Sequence, residues 1–168
     1  MRPYLCLARP SLHILILFIA LSSYQGWSDD ESYVDFNLRY AVQGVGAAQY
    51  NLGVAYTDGI GVIQDHKEAA KWYRLAAEQG VLMAQNNLGN LYDSGQGVIQ
   101  DHKEAAKWYR LAAEQGDASA QYNLGLLFAE GEGGFQDDIY AHMWFNIAAS
   151  NGVEQALEYR KKISRRLI

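Results

Sequence analysis

A tandem repeat dominates this sequence and constrains its fold more than any other feature. The segments Ala47–Leu82 and Met83–Ala118 align without a gap and differ at only nine positions. A looser copy, Ser119–Glu154, continues in the same register. Part of a unit precedes the three copies at Tyr33–Gly46, and part of another follows at Gln155–Ile168. A short period repeated in this way is typical of solenoids, in which each unit contacts its neighbours along the chain.

Each unit has the pattern of two helices joined by a glycine-containing loop. In the first unit, apolar residues spaced by four predict helix A over about Ala48–Tyr56. The loop Asp58–Gln64 contains two glycines, and Asp65 then offers the side chain of an N-cap for helix B. Glu68 completes the pattern of a capping box, and Gly80 is placed to end helix B. The sequence therefore predicts an all-α chain.

The side chains between these helices predict how the units assemble. Alanines such as Ala69 and Ala76 allow the helix axes to come close, and Trp72 and Tyr73 fill the space between successive pairs. One helix pair cannot cover this surface alone, but a stack of pairs can, because each covers its neighbour. The predicted divisions are a signal peptide at 1–22, a linker at 23–32, a half-repeat helix at 33–46, repeats at 47–82, 83–118 and 119–154 (the last degenerate), and a basic capping helix at 155–168.

The first 22 residues have the character of a secretory signal. Arg2 and Arg9 precede an apolar run, Leu12–Leu21, that is much shorter than the ~20 residues of a membrane-spanning helix. Ala20 and Ser22 suit the small-residue positions of a cleavage site. We expect export and cleavage after Ser22, with an uncleaved membrane anchor as the alternative. Loss of the two arginines changes the formal net charge from −5 to −7.

The repeat pattern resembles that of the Sel1-like repeat family. The residues that carry the resemblance are A-x-x-x-L-G-x-x-Y-x-x-G-x-G-V-x-x-D-x-x-x-A-x-x-W-Y-x-x-A-A-x-x-G, found at Ala48–Gly80 and again at Ala84–Gly116. The resemblance implies a right-handed α/α superhelical solenoid related to tetratricopeptide repeats, and a scaffold for protein–protein interaction. Some bacterial relatives are rich in cysteine and linked to β-lactam or peptidoglycan-like ligands. This chain has one cysteine, Cys6, in the predicted signal.

The positions that differ between repeats predict a binding surface. Positions 47, 50, 54 and 57 step by three or four, so they share one side of helix A, which lines the concave surface in tetratricopeptide-like stacks. We expect a protein or peptide to bind this stripe; random drift after duplication is the alternative. The predicted contact residues are Tyr50, Val54 and Thr57 in the first repeat, Asn86, Asn90 and Asp93 in the second, and Tyr122 and Leu126 in the third.

The sequence predicts no catalytic, cofactor or metal site. The glycine loops lack the Gly-Lys-Ser/Thr sequence of a phosphate-binding loop, and no HExxH or GxSxG motif occurs. His66 and His102 occupy matching helix starts, where a stacked metal ladder is conceivable but exposed side chains are the favoured interpretation. The loop acids Asp58, Glu130 and Glu132 are interpreted as solvated. An excess of 19 acidic over 14 basic residues argues against nucleic-acid binding.

The C-terminal segment reverses the charge of the rest. Leu157–Ile168 carries five basic residues and one acidic residue, with Ala156, Tyr159, Ile163 and Leu167 expected on its apolar side. Weak contact with an anionic surface is one interpretation. The favoured one is a capping face that is solvated or that meets the acidic solenoid.

The sequence therefore favours an exported, non-enzymatic scaffold that binds a protein or peptide on the concave helix A surface. A cell-envelope binder or hydrolase of peptidoglycan or β-lactam-like ligands is the alternative.

Overall fold

The computed structural model describes residues 32–132, 134 and 136–168, and within them the chain is helical with no strand. The predicted signal peptide and nearly all of the linker lie outside these residues. The helices are α1 (Tyr33–Ala41), α2 (Gly46–Asp58), α3 (His66–Glu78), α4 (Leu82–Ser94), α5 (His102–Glu114), α6 (Ala118–Glu130), α7 (Asp138–Ser150) and α8 (Glu154–Ser164). Helix A of the three repeats is α2, α4 and α6, and helix B is α3, α5 and α7. None of the described helices is long and apolar enough to cross a membrane.

Aspartate caps begin each helix B, as predicted. The Asp65 carboxylate accepts hydrogen bonds from the backbone N–H groups of Lys67 at 2.9 Å and Glu68 at 3.1 Å. Asp101 and Asp137 cap α5 and α7 in the same way. The predicted capping box is only half formed. The Asp65 N–H donates to the Tyr56 carbonyl at 2.8 Å, and the Glu68 side chain instead pairs with Lys71.

Each helix pair is covered by the pair that follows it. The fully buried residues Ala69, Ala76 and Leu88 belong to one cluster made by α3 and α4, and Trp108 of α5 packs on it. Trp72 packs in the same way on the cluster of α1 and α2, and Trp144 packs on the cluster of α5 and α6. Complete burial of each leucine at the Leu88 position contributes about 1.5–3 kcal/mol. The stacked arrangement that the sequence predicts is therefore confirmed.

A buried glutamine connects each repeat to the preceding helix B. Gln85 is 3% exposed, and its side-chain amide donates to the Ala77 carbonyl at 3.1 Å. Its Oε1 accepts from Gln115 at 2.7 Å, at the end of α5. The Ala77 carbonyl also accepts from the Gly80 N–H at 2.9 Å, so the glutamine adds a second hydrogen bond to a carbonyl in the last turn of helix B. Gln49 and Gln121 bond equivalently to the Ala41 and Ala113 carbonyls.

The C-terminal helix closes the stack, but one sequence expectation about it is wrong. Ala156 and Ile163 are buried as predicted. Leu167 is 47% exposed, because α8 ends at Ser164 and the apolar stripe ends with it. Arg166 meets an acidic residue of the solenoid, as one form of the favoured interpretation expects: its guanidinium lies 2.7 Å from an Asp138 carboxylate oxygen. Part of the basic face therefore fastens the end of the chain to the third repeat.

A glycine in each helix A admits a ring from its own helix B. A Cβ atom placed on Gly89 would lie 2.6 Å from carbons of the Tyr109 ring, and Gly53 and Gly125 face Tyr73 and Phe145 equally closely. Real Cβ atoms essentially never approach this closely. The Leu-Gly dipeptide of the repeat therefore sets the distance between its two helices.

The substitution Gly89→Ala tests this contact. Tyr109 is 1% exposed, so its ring has little room to move. Overpacking costs about 1–3 kcal/mol, which exceeds the ~1 kcal/mol that alanine gains over glycine in a helix. We expect the free energy of unfolding to fall, by up to about 2 kcal/mol, measured by urea denaturation with circular dichroism. Equal or higher stability would contradict the proposed constraint.

Candidate functional site

Asparagine side chains connect the A helices of the second and third repeats. The Asn123 amide of α6 donates to Asn90 Oδ1 at 3.1 Å and lies 3.3 Å from Asn86 Oδ1, both on α4. At the start of the solenoid, Asn51 of α2 donates to Asn37 Oδ1 at 2.9 Å. We call the faces of α2, α4 and α6 that carry these amides and the predicted stripe the helix A surface.

In the first repeat, the predicted residues Tyr50, Val54 and Thr57 gather around Tyr73. The rings of Tyr50 and Tyr73 have centroids 5.9 Å apart, and Val54 packs on the cluster that includes Tyr73. The Thr57 hydroxyl donates to the Gly53 carbonyl at 2.8 Å and lies 3.2 Å from the Tyr73 hydroxyl. All three predicted residues are half-buried.

In the second and third repeats, the ring equivalent to Tyr73 has different neighbours. The Tyr109 hydroxyl donates to Asn90 Oδ1 at 2.7 Å. In the third repeat the ring is Phe145, which has no hydroxyl, and Leu126 occupies the position of Asn90. Leu126 packs against the cluster that contains Phe145. Part of the variation along the predicted stripe therefore depends on whether the buried ring nearby carries a hydroxyl that requires a hydrogen-bond partner.

Burial raises the pKa of the phenols on this surface. Burial is the main cause that raises the pKa of Tyr50 and of Tyr73. The Thr57 hydroxyl and then the Asn87 amide oppose the rise in the pKa of Tyr73, and the Asn87 amide opposes the rise in that of Tyr50. Burial, followed by the charge of Asp93, raises the pKa of Tyr109. A phenol with a raised pKa remains a hydrogen-bond donor at neutral pH and is a poor nucleophile.

Aromatic rings dominate the C-terminal end of the helix A surface. Tyr122 lies with its ring centroid 5.8 Å from that of Phe145 and 5.6 Å from that of Tyr159. The centroids of Phe145 and Tyr159 are 5.3 Å apart. The predicted residues Tyr122 and Leu126 thus lie in an apolar region where α6, α7 and α8 meet.

Asp93, which belongs to the predicted stripe, lies in a group with His102 and Glu132. Its Oδ1 lies 2.8 Å from His102 Nδ1, and Glu132 Oε2 lies 3.6 Å from the same nitrogen. Glu132, interpreted from sequence as a solvated acid, therefore has a neighbour in the second repeat. His66, at the same helix position as His102, has a buried Nδ1 without a hydrogen-bond partner.

Sequence reasoning overlooked Asn87 and Asn123, along with the hydroxyls of Tyr73 and Tyr109. Both asparagines belong to an Asn-Leu-Gly sequence present in every full repeat. The predicted contact residues occupy positions that vary between repeats, and these two asparagines do not vary. A polar residue repeated at the same position of helix A in every full repeat was the available signal.

A concave region lies between α5 and α7, outside the helix A surface. This cavity has a volume of about 1090 Å³ and is lined by Phe128, Tyr140, Trp144, Lys103 and Arg110, among others. None of these residues belongs to the predicted stripe.

Sequence comparison identifies the family. The Sel1 repeat model matches residues 46–81, 82–117 and 118–153. The chain belongs to the Sel1 repeat family, whose repeats generally act as scaffolds for protein–protein interaction. No curated protein matches it.

Solved structures share the fold. A Sel1 repeat protein from Oxalobacter formigenes is 41% identical over 69% of this chain and 48% of its own, with a TM-score of 0.66. The protein c5321, a protective antigen of uropathogenic Escherichia coli with an SLR fold, is 38% identical over 83% of this chain and 30% of its own, with a TM-score of 0.75. Cysteine-rich protein B of Helicobacter pylori is 21% identical over 74% of this chain and 92% of its own, with a TM-score of 0.59, which shows the fold alone. This chain thus spans less than half the length of the first two proteins.

The pairing of Asn90 with Tyr109 gives a prediction about stability. Asn90→Leu removes the partner of the buried hydroxyl, which we expect to cost about 1–3 kcal/mol in urea denaturation. Adding Tyr109→Phe recreates the Leu126–Phe145 pair of the third repeat and should restore most of the loss.

The matched control is Val54→Leu, at the equivalent position of the first repeat. There the Tyr73 hydroxyl has Thr57 as its neighbour, so we expect a change within about 0.5 kcal/mol. If the changes in free energy of unfolding caused by Asn90→Leu and Tyr109→Phe were simply additive, that result would contradict the pairing.

Proposed function

We propose that this chain is an exported, non-enzymatic scaffold that binds a peptide or protein segment along the helix A surface. The observation that carries the proposal is the row of half-buried polar side chains that continues from α2 to α6. Asn87 lies beside the phenols of Tyr50 and Tyr73, and Asn123 reaches Asn90 across the junction between repeats. An amide both donates and accepts hydrogen bonds, as the backbone of an extended peptide requires.

The surface also supplies apolar contact area. Tyr50, Val54, Tyr122 and Leu126 are half-buried, so each leaves part of its side chain to a partner. Aromatic groups with a polar tip are favoured at interfaces because they bury area at a low entropic cost. The polar centre and the aromatic C-terminal end together favour a segment of mixed composition.

The side-chain chemistry favours binding over catalysis. The hydroxyls of Ser94, Ser150 and Ser164 each donate to a backbone carbonyl of the preceding turn. Among the described residues, no serine or threonine hydroxyl is hydrogen-bonded to a histidine. A serine or threonine hydrolase needs a nucleophile with a positioned base, and the hydrogen bonds of the described hydroxyls favour no such pair.

Peptide selection tests the binding surface. Peptides selected from a displayed library against the purified chain would be measured by fluorescence anisotropy. We expect Asn87→Ala and Asn123→Ala each to weaken binding by about tenfold, the loss of one or two hydrogen bonds.

The control variants are Lys71→Ala and Lys107→Ala, two exposed positions on helix B. They should leave the affinity unchanged. A loss of affinity in the lysine variants with none in the asparagine variants would place the partner on the other face.

Export gives a separate prediction. When the full chain is expressed in a bacterial host, we expect the purified protein to begin at Ser23, because Ala20 and Ser22 suit signal peptidase. Intact-mass spectrometry of the extracytoplasmic fraction measures this directly. A product that retains Met1–Ser22 in the membrane fraction would favour the anchor instead.

A further inference from the structure

Three side chains with metal-binding groups meet at the junction between the second and third repeats. Asp93 lies near the end of α4, His102 is the first residue of α5, and Glu132 follows α6. One ligand atom from each lies within 4.8 Å of the other two. Among the described residues, this is the only group of three such side chains. We call it the junction triad.

The first junction of the solenoid lacks the two acids. The positions of Asp93, His102 and Glu132 correspond to Thr57, His66 and Gln96 one repeat earlier. The loop that contains Gln96 also reaches the start of the preceding helix B: a Cβ atom on the adjacent Gly97 would lie 2.3 Å from the His66 carbonyl group. The histidine is thus the same at both junctions. The carboxylates come from two of the nine positions at which the first two repeats differ: Asp93 occupies one of them in the second repeat, and Glu132 is the third-repeat equivalent of the other.

We propose that the junction triad binds a divalent transition-metal ion of the zinc class. A zinc ion with nitrogen and oxygen ligands at about 2.0–2.2 Å holds those atoms roughly 3.3 Å apart in tetrahedral geometry. The observed separations from His102 Nδ1 are 2.8 Å to Asp93 and 3.6 Å to Glu132, so small side-chain rotations bring all three into range. The imidazole nitrogen disfavours calcium and magnesium, which prefer oxygen ligands alone.

The site has room for further ligands from the solvent. The side chains of His102, Asp93 and Glu132 are 28%, 36% and 44% exposed. Water completes the coordination, as it does in zinc sites with three protein ligands. The metal would join α4 and α5 of one repeat to the turn after α6 of the next, and so restrain the angle between two repeats.

Zinc titration of the purified full chain, carrying a histidine-free affinity tag, tests the proposal. Calorimetry should show one zinc ion bound per chain, and zinc should raise the melting temperature. His102→Ala should weaken zinc binding by about tenfold or more. His66→Ala and His142→Ala serve as controls and should bind zinc like the wild-type chain.

A matched variant replaces both acids with residues that the chain itself has at the first junction. Asp93→Thr with Glu132→Gln gives the second junction the residues of the first at these positions and should abolish the zinc-dependent rise in melting temperature. The reverse transplant, Thr57→Asp with Gln96→Glu, should add a second zinc site at His66. Absence of zinc binding by the wild-type chain would overturn the proposal, as would binding that survives both His102→Ala and the acid replacements.

Discussion

The fold depends on one constraint: the apolar face of each helix pair stays dry only when the next pair covers it. Trp72, Trp108 and Trp144 each lie half-buried on a cluster formed by the preceding helix B and the helix A beside it. The hydrophobic contribution is therefore distributed along the stack, and an end needs a cap. Tyr159 and Ile163 of α8 supply that cap at the C-terminus.

Polar groups then fix the geometry that burial alone leaves open. Gln49, Gln85 and Gln121 bond to carbonyls at the end of the preceding helix B, and so set how each repeat sits on the last. The close approach of Gly89 to the Tyr109 ring sets the spacing within a repeat. Since a buried amide without a partner costs about 1–3 kcal/mol, the glutamines specify one arrangement among many apolar ones.

The elements that the sequence predicts best are those with local causes. Asp65 and Asp101 cap the helices that follow them because capping needs only the next three residues. The contacts that escaped prediction, such as Asn123 with Asn90 or His102 with Glu132, join different repeats. Their distances depend on the rotation between repeats, which no spacing along the chain reports. The Sel1 pattern predicts that repeats stack, while the structure is needed to say which side chains meet.

Duplication explains why the same few positions contribute to packing in one repeat and to a proposed binding site in another. Identical helix B segments give His66 and His102 the same backbone setting, so any difference in their chemistry must come from the residues around them. Position 57 of the first repeat is a hydroxyl beside the Tyr73 ring, and its equivalent, Asp93, is a carboxylate beside His102. The tyrosine of the second repeat finds its partner in Asn90 instead, which leaves Asp93 available for the junction. A substitution that gives one buried hydroxyl a new hydrogen-bond partner thus allows a neighbouring position to acquire a different role.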